Sequence, residues 1–144
     1  MGIRIASNAP RTGGIRRVGG LGVAAGATLV AVGAAVWAVI TRELRAEKIT
    51  VAGDSDLLPG KPVAGPVSAY AQAEIIRKHA LAASDGKTFA ELPQDDPVRS
   101  TVMSASFLRA SLFTSVVSYG VAAFAIGVGV VTGAFGWALR RTDR

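Results

Sequence analysis

Two stretches without a single charged side chain, Val18 to Thr41 and Ala110 to Leu139, constrain this chain more than any other feature. Arginine bounds each on both sides, Arg17 and Arg42 for the first, Arg109 and Arg140 for the second. About 20 apolar residues in a helix cross the hydrocarbon core of a bilayer, whereas a core helix of a soluble protein rarely stays uncharged for so long. At 1.5 Å per residue the stretches would measure roughly 36 Å and 45 Å against a core of about 30 Å. The first fits with tilt and the second must protrude. The chain therefore reads as an all-α membrane protein: a two-transmembrane-helix hairpin with a small, mainly helical extracytoplasmic segment. The expected organisation is a basic tail at 1–17, a first span at 18–41, a middle segment at 42–109, a second span at 110–139 and a short tail at 140–144.

The placement of charge gives the orientation. Arg4, Arg11, Arg16 and Arg17 precede the first span without an acid, and Arg140, Arg141 and Arg144 follow the second against Asp143 alone. The segment between Arg42 and Arg109 has nine basic and nine acidic residues, so the whole net charge of +6 lies in the tails. Cationic flanks are retained in the cytoplasm by the insertion machinery and the membrane potential. Both termini are expected inside and the middle segment outside, in a cell membrane. The basicity is thus a signature of topology and of attraction to anionic lipid. No basic stripe alternates with stacking aromatics, so nucleic acid is not an expected partner. The expected partners are the lipid bilayer and other membrane subunits or further copies of the chain.

A secretory signal is the competing reading of the first span, since arginines precede it and Val36-Trp37-Ala38 loosely imitates a cleavage site. The uncharged run is, however, longer than the 7 to 15 residues usual for a signal core, and bulky Val39 and Ile40 follow the site. Met1-Gly2 lacks the hydroxyl residue that acylation requires at the sixth position, which is Ala6. The chain has no cysteine, which excludes disulfides, thiol catalysis and lipidation through sulfur.

Small residues recur within the spans at helix-packing intervals. Gly22 and Gly26, with Gly33 further along, face one way on the first span; Ala125, Gly129 and Gly133, with Gly136 a turn beyond, form a ridge on the second. Such ridges let two backbones approach in lipid, where packing holds helices together. Trp37, Tyr119 and Trp137 lie toward span ends, as interfacial anchors do. No Asp, Glu, Lys, Arg or His lies inside either span, which argues against a proton relay, ion pathway or voltage sensor built from this chain alone.

In the middle segment, Arg42 to Lys48 continues the first helix, and Ile49-Thr50-Val51 is a short β-prone run. Asp54 to Gly65 reads as a loop on its prolines and glycines. Pro66 suits the first turn of a helix reaching about Ser84. On that helix Tyr70, Ala73, Ile76 or Arg77, Ala80 and Leu81 trace a mostly apolar face, so Tyr70, Ile76 and Leu81, together with Ile75, are the expected external docking residues. That face is expected against Val102, Met103, Phe107 and Leu108, or against a partner. Asp85-Gly86 stops the helix, and Thr88 to Leu92 resembles a capped single turn. Asp96-Pro97 starts a long helix expected to run from about Pro97 to Leu139.

Several strings, RAEKITV at Arg45 to Val51, Gly60-Lys61, YAQAEIIRKHA at Tyr70 to Ala80, GKTFAEL at Gly86 to Leu92 and FLRASLF at Phe107 to Phe113, carry a resemblance to a known group. The chain resembles small actinobacterial two-span membrane proteins commonly labelled "aromatic ring-opening dioxygenase LigA", over about half its length. The resemblance implies an envelope protein and brings no catalytic residues with it. The enzymatic wording of that label does not fit the residues. A ring-cleaving iron site is built from two histidines and a carboxylate, and His79 is the sole histidine. Lys61 after Gly60 and Lys87 after Gly86 echo the end of a phosphate loop but lack its upstream glycine, and read as turn lysines. Ser104, Ser106, Ser111 and Ser115 have no base in a triad pattern and read as helix-packing hydroxyls. No catalytic, cofactor-binding or metal residue is expected. The expected role is a non-enzymatic accessory or structural subunit of a larger membrane assembly; the alternative is an extracytoplasmic ligand-binding or sensing module.

Overall fold

The computed structural model describes residues 12–141. Most of the N-terminal basic tail, including Arg4 and Arg11, and residues 142–144 lie outside the described part. Three helices follow one another: α1 (Thr12–Ala46), α2 (Pro66–Ala83) and α3 (Arg99–Arg141). There is no strand among the described residues, only one antiparallel bridge between Thr50 and Pro62. The protein is all-helical, and two of its helices are long and apolar enough to cross a membrane. Over Gly13–Ala46 and Arg99–Arg141 the most apolar windows reach mean hydropathies of 2.2 and 1.9, with only 11% and 17% of them buried. A core helix of a soluble protein would be mostly covered.

Contacts divide the chain into two compact units. The first is formed by the described parts of Met1–Gly33 and Phe124–Arg144, the second by Ala34–Ala123.

In the first unit the two helix segments meet backbone to backbone. A Cβ placed on Gly26 would lie 2.5 Å from the Gly129 carbonyl oxygen and 2.6 Å from the Gly133 nitrogen; one on Gly136 would lie 2.6 Å from the Gly19 oxygen. Real Cβ atoms do not approach so closely, so only glycine permits this spacing. The facing pairs run in opposite order along the two segments, Gly19 with Gly136 and Gly26 with Gly129. Bulky side chains turn outward: Leu21 is 71% exposed, Phe124 72% and Phe135 69%. At its end the Arg141 guanidinium stacks 3.8 Å over the Trp137 ring.

The second unit is built around a small core. Val51 and Val63, at 1% and 0% exposure, are the largest fully buried aliphatic side chains, and Leu44, Ala69, Ala73 and Leu112 pack with them. Val51 and Val63 come together because Ile49–Val51 pairs with Gly60–Val63: the Val51 N–H donates to the Lys61 oxygen at 2.9 Å and the Val63 N–H to the Ile49 oxygen at 2.9 Å. The segment expected to be a plain loop thus carries one limb of a miniature hairpin. Gly60, at φ 69°, closes it in the left-handed region that favours glycine. Tyr119 is 1% exposed, its hydroxyl 2.7 Å from that of Thr41 and its ring 4.7 Å from that of Trp37, edge to face. That buried pairing gives the phenol the partner it needs.

The elements start and stop for local reasons. Pro66 opens α2, and the Ser68 hydroxyl accepts from the Ala64 and Gly65 N–H groups at 3.0 and 3.1 Å. The Gly86 N–H donates back to the Leu81 oxygen at 2.8 Å, with Asp85 and Gly86 both at positive φ, as helix ends commonly close. Glu91 accepts from the N–H and hydroxyl of Thr88, both at 2.8 Å, holding the single turn after α2; these bonds keep its carboxyl below the usual range. The Asp96 carboxylate accepts from the Val98 N–H at 2.9 Å just before α3.

Candidate functional site

The glycines singled out on the spans fall as follows. Gly26, Gly129 and Gly133 lie at the backbone contact of the first unit; Gly22 is half-buried, its Cβ position 3.1 Å from the Gly136 Cα; Gly33 is buried and Ala125 half-buried. The buried positions Gly19, Gly26 and Gly33 repeat every seven residues, as do Gly129 and Gly136. A repeat of seven keeps two helices in register over successive pairs of turns. The four-residue ridges seen in sequence therefore caught part of the contact and left out Gly19, which sits only two residues beyond Arg17.

On α2 the buried positions are Ser68, Ala69, Ala71, Ala73 and Ile75. Tyr70 is 42% exposed, with its ring edge to face on Phe113 at 5.9 Å, while Ile76 and Leu81 are half-buried. Small alanines allow the closest approach, so the large residues of the expected face sit at its rim. The helix is also covered on a second side. The Ala52 N–H donates to the Gln72 side-chain oxygen at 3.0 Å, and the His79 Nε2 lies 2.7 Å from the Asp54 carboxylate. The hydrogen bond from His79 lowers the pKa of Asp54. Both groups are more than half exposed, so water screens this pair and it contributes little. Of the α3 residues expected opposite α2, Val102 is buried at 2% exposure, while Met103, Phe107 and Leu108 are exposed at 37%, 69% and 54%. A helix offers one face at a time, and residues one position apart point about 100° from each other.

No group of three or more metal-ligating side chains occurs among the described residues. His79 meets one carboxylate, that of Asp54.

Cationic chemistry gathers in one place. Arg77 of α2, Lys87 of the Gly86 turn and Arg109 of α3 line a single cleft of about 160 Å³, with Ser106 and Thr88 supplying hydroxyls and Leu81, Phe89 and Val102 an apolar wall. Glu74 pairs with Arg77 at 3.1 Å and more loosely with Arg109 at 3.6 Å. The Arg109 guanidinium stacks 4.9 Å over the Phe113 ring, and its Nε is buried without a hydrogen-bond partner among the described residues. On sequence Lys87 read as a lone turn lysine, since its companions are 10 and 22 residues away and only the fold collects them. A second, broader groove of about 550 Å³ runs between Ile76, Ala83, Thr101 and Leu108 and is mainly apolar.

No family model, curated protein or solved structure matches the chain.

Proposed function

We propose that the protein is a non-enzymatic accessory or structural subunit of a larger bacterial cell-membrane assembly. In this reading α1 and α3 form a two-transmembrane-helix hairpin, both termini are cytoplasmic, and Arg42 to Arg109 is extracytoplasmic. One observation carries the proposal: the helix segments of the first unit use glycine backbone against each other and turn Leu21, Phe124 and Phe135 outward. Intramolecular packing so consumes the small residues and leaves a bulky apolar surface, which lipid tails and the helices of neighbouring subunits can cover. The charge-free stretches and the cationic tails support the same placement. The resemblance to small two-span envelope proteins implies it as well.

The second reading, an extracytoplasmic module that binds a ligand, is favoured by the cationic cleft of the second unit. The two readings separate in one experiment. Affinity purification of the chain at native level in mild detergent, followed by mass spectrometry, is expected to return a fixed set of membrane subunits at constant stoichiometry. A chain that purifies alone and monomeric would overturn the accessory role.

A further inference from the structure

We propose that the cleft between α2, the Gly86 turn and α3 binds a phosphate ester, with Arg77, Lys87 and Arg109 holding the phosphate. Three elements each contribute one cation to this space. Glu74, the one carboxylate bonded to any of the three among the described residues, is shared between Arg77 and Arg109, which leaves the cleft cationic. Glu91 stands near, but it is engaged by the N–H and hydroxyl of Thr88. Positive groups confined in a partly apolar recess attract an anion more strongly than the same groups spread over a surface.

Arg109 lines the cleft with a side chain that is 40% exposed, its Nε buried and without an acceptor among the described residues. A guanidinium presents its donors as a planar fork that fits phosphate or carboxylate oxygens, and Lys87 adds a compact charge. Two guanidinium groups, an ammonium and the Ser106 hydroxyl exceed what a carboxylate's two oxygens can occupy, and match a phosphate better. The apolar wall of Leu81, Phe89 and Val102 has no use for a bare ion but can cover the carbon part of an ester.

Two sources carry this chemistry. Arg109 ends the uncharged stretch of α3, and that stretch exceeds the roughly 20 residues a bilayer core needs. A phospholipid head group and a soluble phosphate ester can therefore both reach the site. The soluble case does not depend on the accessory role or on the orientation proposed above.

The test uses the full chain in phosphatidylcholine nanodiscs titrated calorimetrically with glycerol 3-phosphate, and in parallel nanodiscs containing phosphatidylglycerol, with retained lipid counted by native mass spectrometry. Lys87→Gln and Arg109→Gln are the variants; Lys87 is exposed, so its replacement leaves the fold intact, and Lys61→Gln, on the hairpin and outside the cleft, is the control. Losing one charge-assisted hydrogen bond should weaken binding about tenfold or more in both variants, and not in the control. Saturable glycerol 3-phosphate binding lost in the variants supports a soluble ligand. Phosphatidylglycerol retention lost in the variants supports a lipid. Neither probe held, or both held equally by Lys87→Gln, Arg109→Gln and the unaltered chain, overturns the proposal. Failure here with subunits still co-purifying would leave the accessory role standing.

Discussion

Replacing Gly26 by valine is expected to force α1 and α3 apart within the first unit and to destabilise it by about 1–3 kcal/mol or more, the usual cost of inserting atoms into a closed contact. The new Cβ would stand 2.5 Å from the Gly129 oxygen and 2.7 Å from the Gly133 Cα. These are backbone atoms, which cannot rotate away as the tip of a side chain can. Gly136→Val is expected to behave in the same way, since its Cβ would meet the Gly19 oxygen and the Val23 nitrogen, both at 2.6 Å. Gly20 and Gly127 are internal comparisons: nothing lies within 4 Å of a Cβ there, so Gly20→Ala and Gly127→Ala should be neutral or mildly stabilising. SDS titration of the micellar protein, followed through the fluorescence of Trp37 and Trp137, measures all four. Equal effects at Gly26 and Gly20 would mean that the two backbones do not approach as described.

The second large effect concerns Val63. Its side chain is fully buried against Val51, so Val63→Asp forfeits roughly 1.5–3 kcal/mol of apolar burial and also places a carboxylate where no partner waits. The core of the second unit is small, and a loss of this size is expected to unfold residues 48–98 as a group. Val67→Asp, at a position 57% exposed, should change stability by no more than about 0.5 kcal/mol. Ile76→Asp, at a half-buried position, should fall between them. Helix insertion should survive in all three, because the uncharged stretches are untouched. Hydrogen exchange of the middle segment orders the variants, and exchange at Val63→Asp no faster than at Val67→Asp would remove Val63 from the core.

Much of this architecture is legible in the residues, and the remainder has identifiable causes. Pro66 opens α2, and Asp96 caps the turn before α3, which begins at Arg99, two residues after the Pro97 expected from sequence; helix ends are uncertain by that much. Thr88 and Glu91 make the capped turn that their spacing suggests. The pairing of Val63 with Ile49–Val51 was hidden by Pro59 and Pro62, which read as loop although Gly60 between them closes a hairpin. Gly19 and the seven-residue repeat were masked by the more conspicuous four-residue spacing of Gly22 and Gly26. The grouping of Arg77, Lys87 and Arg109 belongs to tertiary structure alone; no local pattern joins residues so far apart. Nor does a helix-face reading foresee a second cover on α2, which the Ala52 to Gln72 hydrogen bond provides.

In the proposed reading the two apolar helices cross a membrane with the middle segment outside. Because the chain lacks cysteine, single cysteines at Asp56, Asp95, Ser7 and Thr142 report side directly. In intact cells an impermeant thiol reagent should label the first two, and the last two only after lysis. Labelling of Ser7 and Thr142 positions in intact cells with Asp56 and Asp95 protected would reverse the orientation, and labelling of all four without lysis would contradict a membrane-spanning pair altogether.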